Sequence, residues 1–341
     1  MDHFGSAHDA IAGLPELAGR AAGKKLVVPD AGTADAELAQ LAACGARLIT
    51  LGEPDYPVSL AQIDDAPPTL AVRGDVSILS DPGIGIVGAR NASTNGQRLA
   101  ETMARDLADT GLSIVSGLAR GIDTAAHHGA LVAHGKTVAV MAGGVDIVYP
   151  PENQALYERV AEQGAVVSEM PPGLKPQARH FPRRNRIVSG LSLGVVIVEA
   201  AQRSGSLITA RMAGEQGRDV LAVPGSPLDP RSYGANRLIR EGATLVRDAS
   251  NVLELIHPML ERSVSVPEHP DTVPRQPRLE LESDNEKARH SIAECLSPEP
   301  VAVDEIVRRC QLTAPVVRTI LLELELAGRL ERLPGNRVAA L

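Results

Sequence analysis

From residue 83 the chain settles into a rhythm that admits few folds: short runs apolar throughout, each followed by a helix-length stretch. Residues 84–87, 112–115, 137–141, 165–168, 194–199, 219–223 and 244–246 read as strands, and 96–109, 122–133, 152–162, 207–216, 235–241 and a segment from 250 as helices. Strands that are apolar on successive residues, such as GVVIVE at 194–199, are buried on both faces. That pattern predicts an α/β fold, a parallel sheet covered by helices on both sides. In such a sheet ligands lie beyond the C-terminal strand ends, where the strand order reverses.

The loops at those ends suit a polyanion. The central run at 194–199 leads into Ser204, Gly205, Ser206 and Thr209, hydroxyls and backbone N–H groups at a predicted helix start, with Arg211 one turn on. A helix N-terminus with free donors favours an anion. Just upstream, RHFPRRNR reads as a basic loop in which Arg179, Arg183, Arg184, Asn185 and Arg186 crowd Phe181, one of only two phenylalanines in a chain without tryptophan. Two uses are open: a base stacked on Phe181 while guanidiniums hold phosphates, or a core plug whose arginines sit in solvent or pair with carboxylates. The loop GARNASTNG at 88–96 places Arg90 at the end of the first strand, within reach of a phosphate. It is not the glycine fingerprint of a dinucleotide site. Asp123 and His127, four apart, share a helix face like an acid/base pair, but helix capping explains the carboxylate without catalysis.

Composition limits the rest. Three cysteines without metal or disulfide spacing, and an acidic start without an apolar signal run, fit a reducing cytoplasm, and no run is long enough to span a bilayer. The net charge of −8 argues against nucleic acid only superficially, because residues 84–225 carry 14 basic and 12 acidic groups while 1–83 carry 5 and 12. The positive excess lies where the loop motifs lie.

Four segments, SGLARGIDTAAHHGAL at 116–131, HFPRRNRIVSGLS at 180–192, VEAAQRSGSLITARMAGEQGRDVLAVPG at 198–225 and GANRLIREGA at 234–243, resemble the bacterial DNA-processing protein A family, also called Smf, over roughly residues 50–256. The resemblance implies an extended Rossmann-like domain that binds single-stranded DNA, forms a homodimer, protects incoming strands and helps load the recombinase RecA during natural transformation. It also implies DNA contacts at Gly88-Ala89-Arg90, where Ala89 replaces the usual hydroxyl, and along 181–186. Family members often begin with a sterile-alpha-motif-like or helix-hairpin-helix region, which this chain is expected to enter midway, at 3–7.

The expected organisation is therefore an N-terminal helical segment at 1–50, the Rossmann-like domain at 51–260, a proline- and acid-rich flexible linker at 261–288 and a winged helix at 289–341 with a two-strand wing. The winged helix's third helix sets Glu323 and Glu325 against Arg318, which favours protein contact or a weak accessory DNA role, while Arg329, Arg332 and Arg337 keep backbone contact open. The competing enzyme reading is a nucleotide hydrolase like the phosphoribohydrolases. It needs a paired-glycine phosphate motif and a carboxylate, where this chain has AAQRSGSLITARM with Met212. No catalytic activity, cofactor or metal is expected.

Overall fold

The computed structural model describes residues 31–264 and, towards the C-terminus, 288, 291–292, 295–297, 301–310, 312, 314–326, 329–333 and 337–340. Expectations for 1–30 and 265–287 lie outside the described residues. The chain divides into a central unit, Pro29–Val266, and a second that takes in Pro267–Leu341.

The central unit begins α1 (Ala31–Ala43), β1 (Ala46–Thr50), α2 (Val58–Ala61), β2 (Thr69–Gly74), β3 (Gly83–Gly88), α3 (Thr94–Ala108), β4 (Ser113–Ser116) and α4 (Ile122–Val132). It continues through β5 (Thr137–Val140), α5 (Gln154–Gln163), β6 (Ala165–Ser168), α6 (His180–Gly190), β7 (Gly194–Val198), α7 (Ser206–Glu215), β8 (Asp219–Ala222), α8 (Tyr233–Arg240), β9 (Thr244–Leu245) and α9 (Ala249–Val264). These strands form one nine-stranded sheet in the order β1-β2-β6-β5-β4-β3-β7-β8-β9. Strands β3 to β9 run parallel, with Ile86 beside Val196 at the centre. The expectation of a wholly parallel sheet needs correction at one edge: β1 pairs antiparallel with β2, Ile49 opposite Leu70, and β2 antiparallel with β6. Antiparallel neighbours need no crossover helix, and an apolar run does not encode its direction. Residues 46–50 thus belong to the sheet, and 261–264 continue α9.

Alternate strand residues supply opposite cores, which is why the runs lack a polar face. Val195 and Ile197 join Val87, Val115 and Val140 under α6 and α7, whose Ile187, Val188, Ala210 and Ala213 complete that layer. Val196 and Val198 join Ile84, Ile86 and Ile114 under α3, α4 and α9. A third cluster, around Leu41, Leu156 and Tyr157, packs α1 and α5 towards the antiparallel edge. Each such aliphatic side chain contributes about 1.5–3 kcal/mol relative to exposure.

The strand order reverses between β3 and β7, and two features hold their ends together. A Cβ on Gly88 would fall 1.8 Å from the Val198 carbonyl oxygen, so only glycine permits this approach. Beyond β7, Glu199 sits at φ 51 and turns its carboxylate to the start of α3. There it accepts from the Ser93 amide at 2.8 Å and from the Ser93 hydroxyl, whose oxygen accepts from the Gly96 amide at 2.9 Å. A half-buried negative charge at a helix N-terminus is favoured by the dipole.

The C-terminal unit contains β10 (Val301–Ala302), α10 (Val303–Cys310), α11 (Ala314–Leu326), β11 (Leu330–Leu333) and β12 (Arg337–Ala340) around a core including Ile292, Ile306, Val317, Leu321 and Val338. The two-strand wing acquires a third strand, because β10 pairs with β12 in the order β10-β12-β11. Two residues carry no period that sequence reading detects. No helix among the described residues is long and apolar enough to cross a membrane.

Candidate nucleic-acid interface

A trough of about 860 Å³ opens where β3 and β7 part. Its walls are the β3 end from Gly88 to Asn91, the α4 entry at Ala119 and Asp123, one face of α6, the turn from Ala201 to Ser206, and Arg231. This is the location that the strand order itself selects for a ligand.

Phe181 stands at the lip. It is half-buried and belongs to none of the hydrophobic clusters, which answers against the core plug. The Arg90 guanidinium lies 4.9 Å over its ring, and Tyr149 meets it edge-on with centroids 5.8 Å apart at 60°. Arg90 makes no ion pair among the described residues, so its donors remain for a ligand while the ring holds its plane.

Arg184 forms the floor. Its residue is 6% exposed, and a Cβ on Gly117 would fall 1.3 Å from its Nη1, so the guanidinium lies flat against a backbone that tolerates no side chain. Its Nε is buried without a partner among the described residues. Burial holds its pKa below the ordinary value while the Asp123 carboxylate and Arg90 pull in opposite directions. Asp123 accepts from the Gly117 amide at 3.1 Å, and burial raises its pKa against the pull of Arg184. Burial dominates on both partners, and the Arg184 Nε finds no acceptor among the described residues, a condition under which an arriving anion gains.

The opposite wall is the start of α7. Ser204 and Ser206 share a hydroxyl–hydroxyl hydrogen bond of 2.7 Å, Thr209 lies buried behind them, and Asn185 donates to the Gly205 carbonyl at 3.4 Å, tying α6 to the turn. The Leu207 and Ile208 amides are spent on the Ser204 and Gly205 carbonyls, so the turn offers hydroxyls and the helix dipole more than free amides.

The basic loop expected at 179–186 is a helix, and its arginines do not converge. Helical spacing puts Phe181, Arg184 and Asn185 at i, i+3 and i+4 on the trough face. Arg179, Arg183 and Arg186 fall on another. Arg183 makes a bidentate pair with buried Glu169 at 3.0 and 2.8 Å, and Arg186 meets the same carboxylate at 2.6 Å and Asp65 at 3.3 Å. Arg179 donates from Nε to His180 Nε2 at 3.3 Å. Arg211 leaves the trough too: exposed on α7, it pairs with Glu215 at 3.5 Å and lines a separate groove. The sequence reading missed Tyr149, Arg203, which is exposed at the rim, and Arg231, which Asp229 grips at 2.8 Å. A helical-wheel reading of 180–190 carries the signal for the split, and Arg203 adjoins the Ser204–Ser206 turn already singled out; nothing local marks the other two.

An extended Rossmann-like sheet with a cationic cleft at its switch point, followed by a winged helix, defines the class of protein. The family model described as DNA recombination-mediator protein A matches residues 47–257, and models of the DprA winged helix domain and the DprA-like N-terminal HHH domain match 274–336 and 1–40. The chain belongs to the DNA-processing protein A (DprA/Smf) family. Protein Smf of Escherichia coli strain K12 is 41% identical over 293 residues, covering 86% of this chain and 77% of its own. Protein Smf of Synechocystis is 36% identical, covering 85% and 79%. The X-ray structure of DNA processing protein A from Streptococcus pneumoniae superposes with a TM-score of 0.62 at 42% identity over 66% of this chain and 78% of that one. A Helicobacter pylori DNA processing protein A structure, described as giving insight into its single-stranded DNA binding mode, superposes at 0.56 with 30% identity over 63% and 96%.

Proposed function

We propose that this chain binds single-stranded DNA without sequence preference in the β3/β7 trough. The observation that carries the reading is the convergence of unpaired Arg90, buried Arg184 and the Ser204–Ser206 turn on one cleft whose lip is Phe181. Phosphates meet the two guanidiniums and the helix start, and a base stacks at the lip, a contact worth about 1–3 kcal/mol per base. Stacking requires an unpaired base, so single strands are preferred over duplex. The Helicobacter pylori relative supports the same ligand. We extend this proposal to a role in protecting incoming strands and helping load RecA during natural transformation, in the cytoplasm and as a homodimer, a reading that a family described as recombination mediators supports.

The protein is not a nucleotide hydrolase in this reading. The Glu199 carboxylate is occupied by Ser93 at the head of α3, and Asp123 is buried on the Gly117 amide, so neither faces a substrate as a free base. Equilibrium titration of labelled oligo-dT tests the proposal. Arg90→Ala and Phe181→Ala are each expected to weaken binding about tenfold with little change in melting temperature, and a duplex of equal length to bind far more weakly. Equal affinity for duplex, or unaltered affinity in both variants, overturns it.

A further inference from the structure

The C-terminal unit holds two thiols that strand binding leaves unused. Cys310 closes α10, Cys295 lies in the helical segment ahead of β10, and their sulfurs stand 3.5 Å apart. Cys310 also donates to the Ser291 carbonyl at 3.6 Å, one helical turn before Cys295, so its sulfur rests along the side of that segment. Ile292 and Ile306 pack the same two segments together in the core, with both cysteines at its margin. Each is half-buried, so a small oxidant can reach the pair. Sulfurs in van der Waals contact need close by only about 1.5 Å to reach the ~2.05 Å bond length, within the range of modest side-chain rotation.

We propose that Cys295 and Cys310 are a redox site, forming a reversible disulfide on exchange with a low-molecular-weight disulfide. Burial, reinforced by contact with Cys295, pushes the Cys310 thiol up to about 11. Cys310 therefore holds its proton more tightly than an ordinary thiol, and in this scheme Cys295 attacks first. Its thiolate displaces one small thiolate from the oxidant and leaves a mixed disulfide at Cys295. Cys310 then loses its proton to solvent, helped by the Arg309 charge. The new thiolate attacks the Cys295 sulfur, and the second small thiolate departs. Two protein thiols are oxidised, and one small disulfide is reduced to two thiols. The bond closes a span of 15 residues and fastens α10 to the segment before it. Cys44, whose thiol donates to the Leu41 carbonyl at 3.1 Å, takes no part.

The test is to incubate the full-length protein with glutathione disulfide, then count free thiols and map peptides by mass. The expected result is a fall from three free thiols to one, with a linked 295–310 peptide that dithiothreitol reverses. Cys310→Ser should stop at a stable glutathione adduct on Cys295. Three surviving thiols, a wild-type adduct that never resolves, or a link to Cys44 overturns the proposal.

Discussion

Thr137 decides which nitrogen of His127 carries its proton. The Thr137 hydroxyl donates to the Ile114 carbonyl at 2.8 Å, so its oxygen accepts from His127 Nδ1 at 2.7 Å. Nε2 is left bare and buried, without a partner among the described residues. Protonating it would bury an unpaired cation, and burial accordingly pulls the His127 pKa from 6.5 down to about 3. The sign follows directly. A group whose folded pKa is depressed contributes stability that is complete above its unfolded value and lost as pH falls between the two, here from 6.5 towards 3. The slope approaches about 1.4 kcal/mol per pH unit. Asp123, whose pKa is raised, works the other way over part of that range, since its native form takes up a proton more readily. Urea titrations of the wild type from pH 7 to pH 5 should therefore show a falling midpoint, and His127→Asn, which keeps a donor for Thr137 but does not titrate, a flatter profile. An identical pH dependence in both would mean that the imidazole is not the group responsible.

At the scale of the element, α6 is a helix with two jobs, and the clamp job was hidden. Glu169, at the end of β6 and with its side chain 6% exposed, holds Arg183 and Arg186 together, fixing α6 to the sheet so that its other face presents Phe181 and Arg184 to the trough. Arg186 is itself 8% exposed at the side chain, whereas Arg183 is 56% exposed. Arg186→Ala strands a buried carboxylate with one solvent-screened partner and should cost about 3 kcal/mol of stability. Arg183→Ala should cost under about 1 kcal/mol. Below their melting temperatures both variants should bind oligo-dT nearly as the wild type does; a large affinity loss in folded Arg183→Ala would return that side chain to the DNA path. The parallel strands were readable because burial on both faces leaves an unbroken apolar run. The charged segment 179–186 was not, because its density of arginine and Pro182 suggested a loop. Pro182 falls in the first helical turn, where no carbonyl awaits its missing N–H, so it breaks nothing. Likewise the switch-point loops announced themselves by glycine and hydroxyl content, while Tyr149 and Arg231 reach the trough only through the tertiary fold.

The whole molecule carries −8, so its distant field repels a strand and affinity must come from local contacts. Of the trough arginines, Arg90, Arg184 and Arg203 make no ion pair among the described residues, while Arg231 is neutralised by Asp229. Three phosphates so neutralised give a slope of about −2 for log affinity against log salt, at roughly −0.7 per single-strand contact. Removing residues 266–341 deletes 13 acidic and 10 basic groups and leaves the remainder at −5. The three hydrophobic clusters of the central unit draw on none of the deleted residues, so its fold should survive. If the winged helix serves protein contact, the truncated protein should keep the same salt slope and bind oligo-dT within about twofold of the full chain, slightly tighter at low salt because repulsion is reduced. If Arg329 or Arg337 of the wing shares the strand, the slope should instead become shallower by about 0.7 per lost contact and the affinity fall. A salt series on the two proteins separates these outcomes, because charge removed from a distance shifts the intercept whereas a lost phosphate contact changes the gradient.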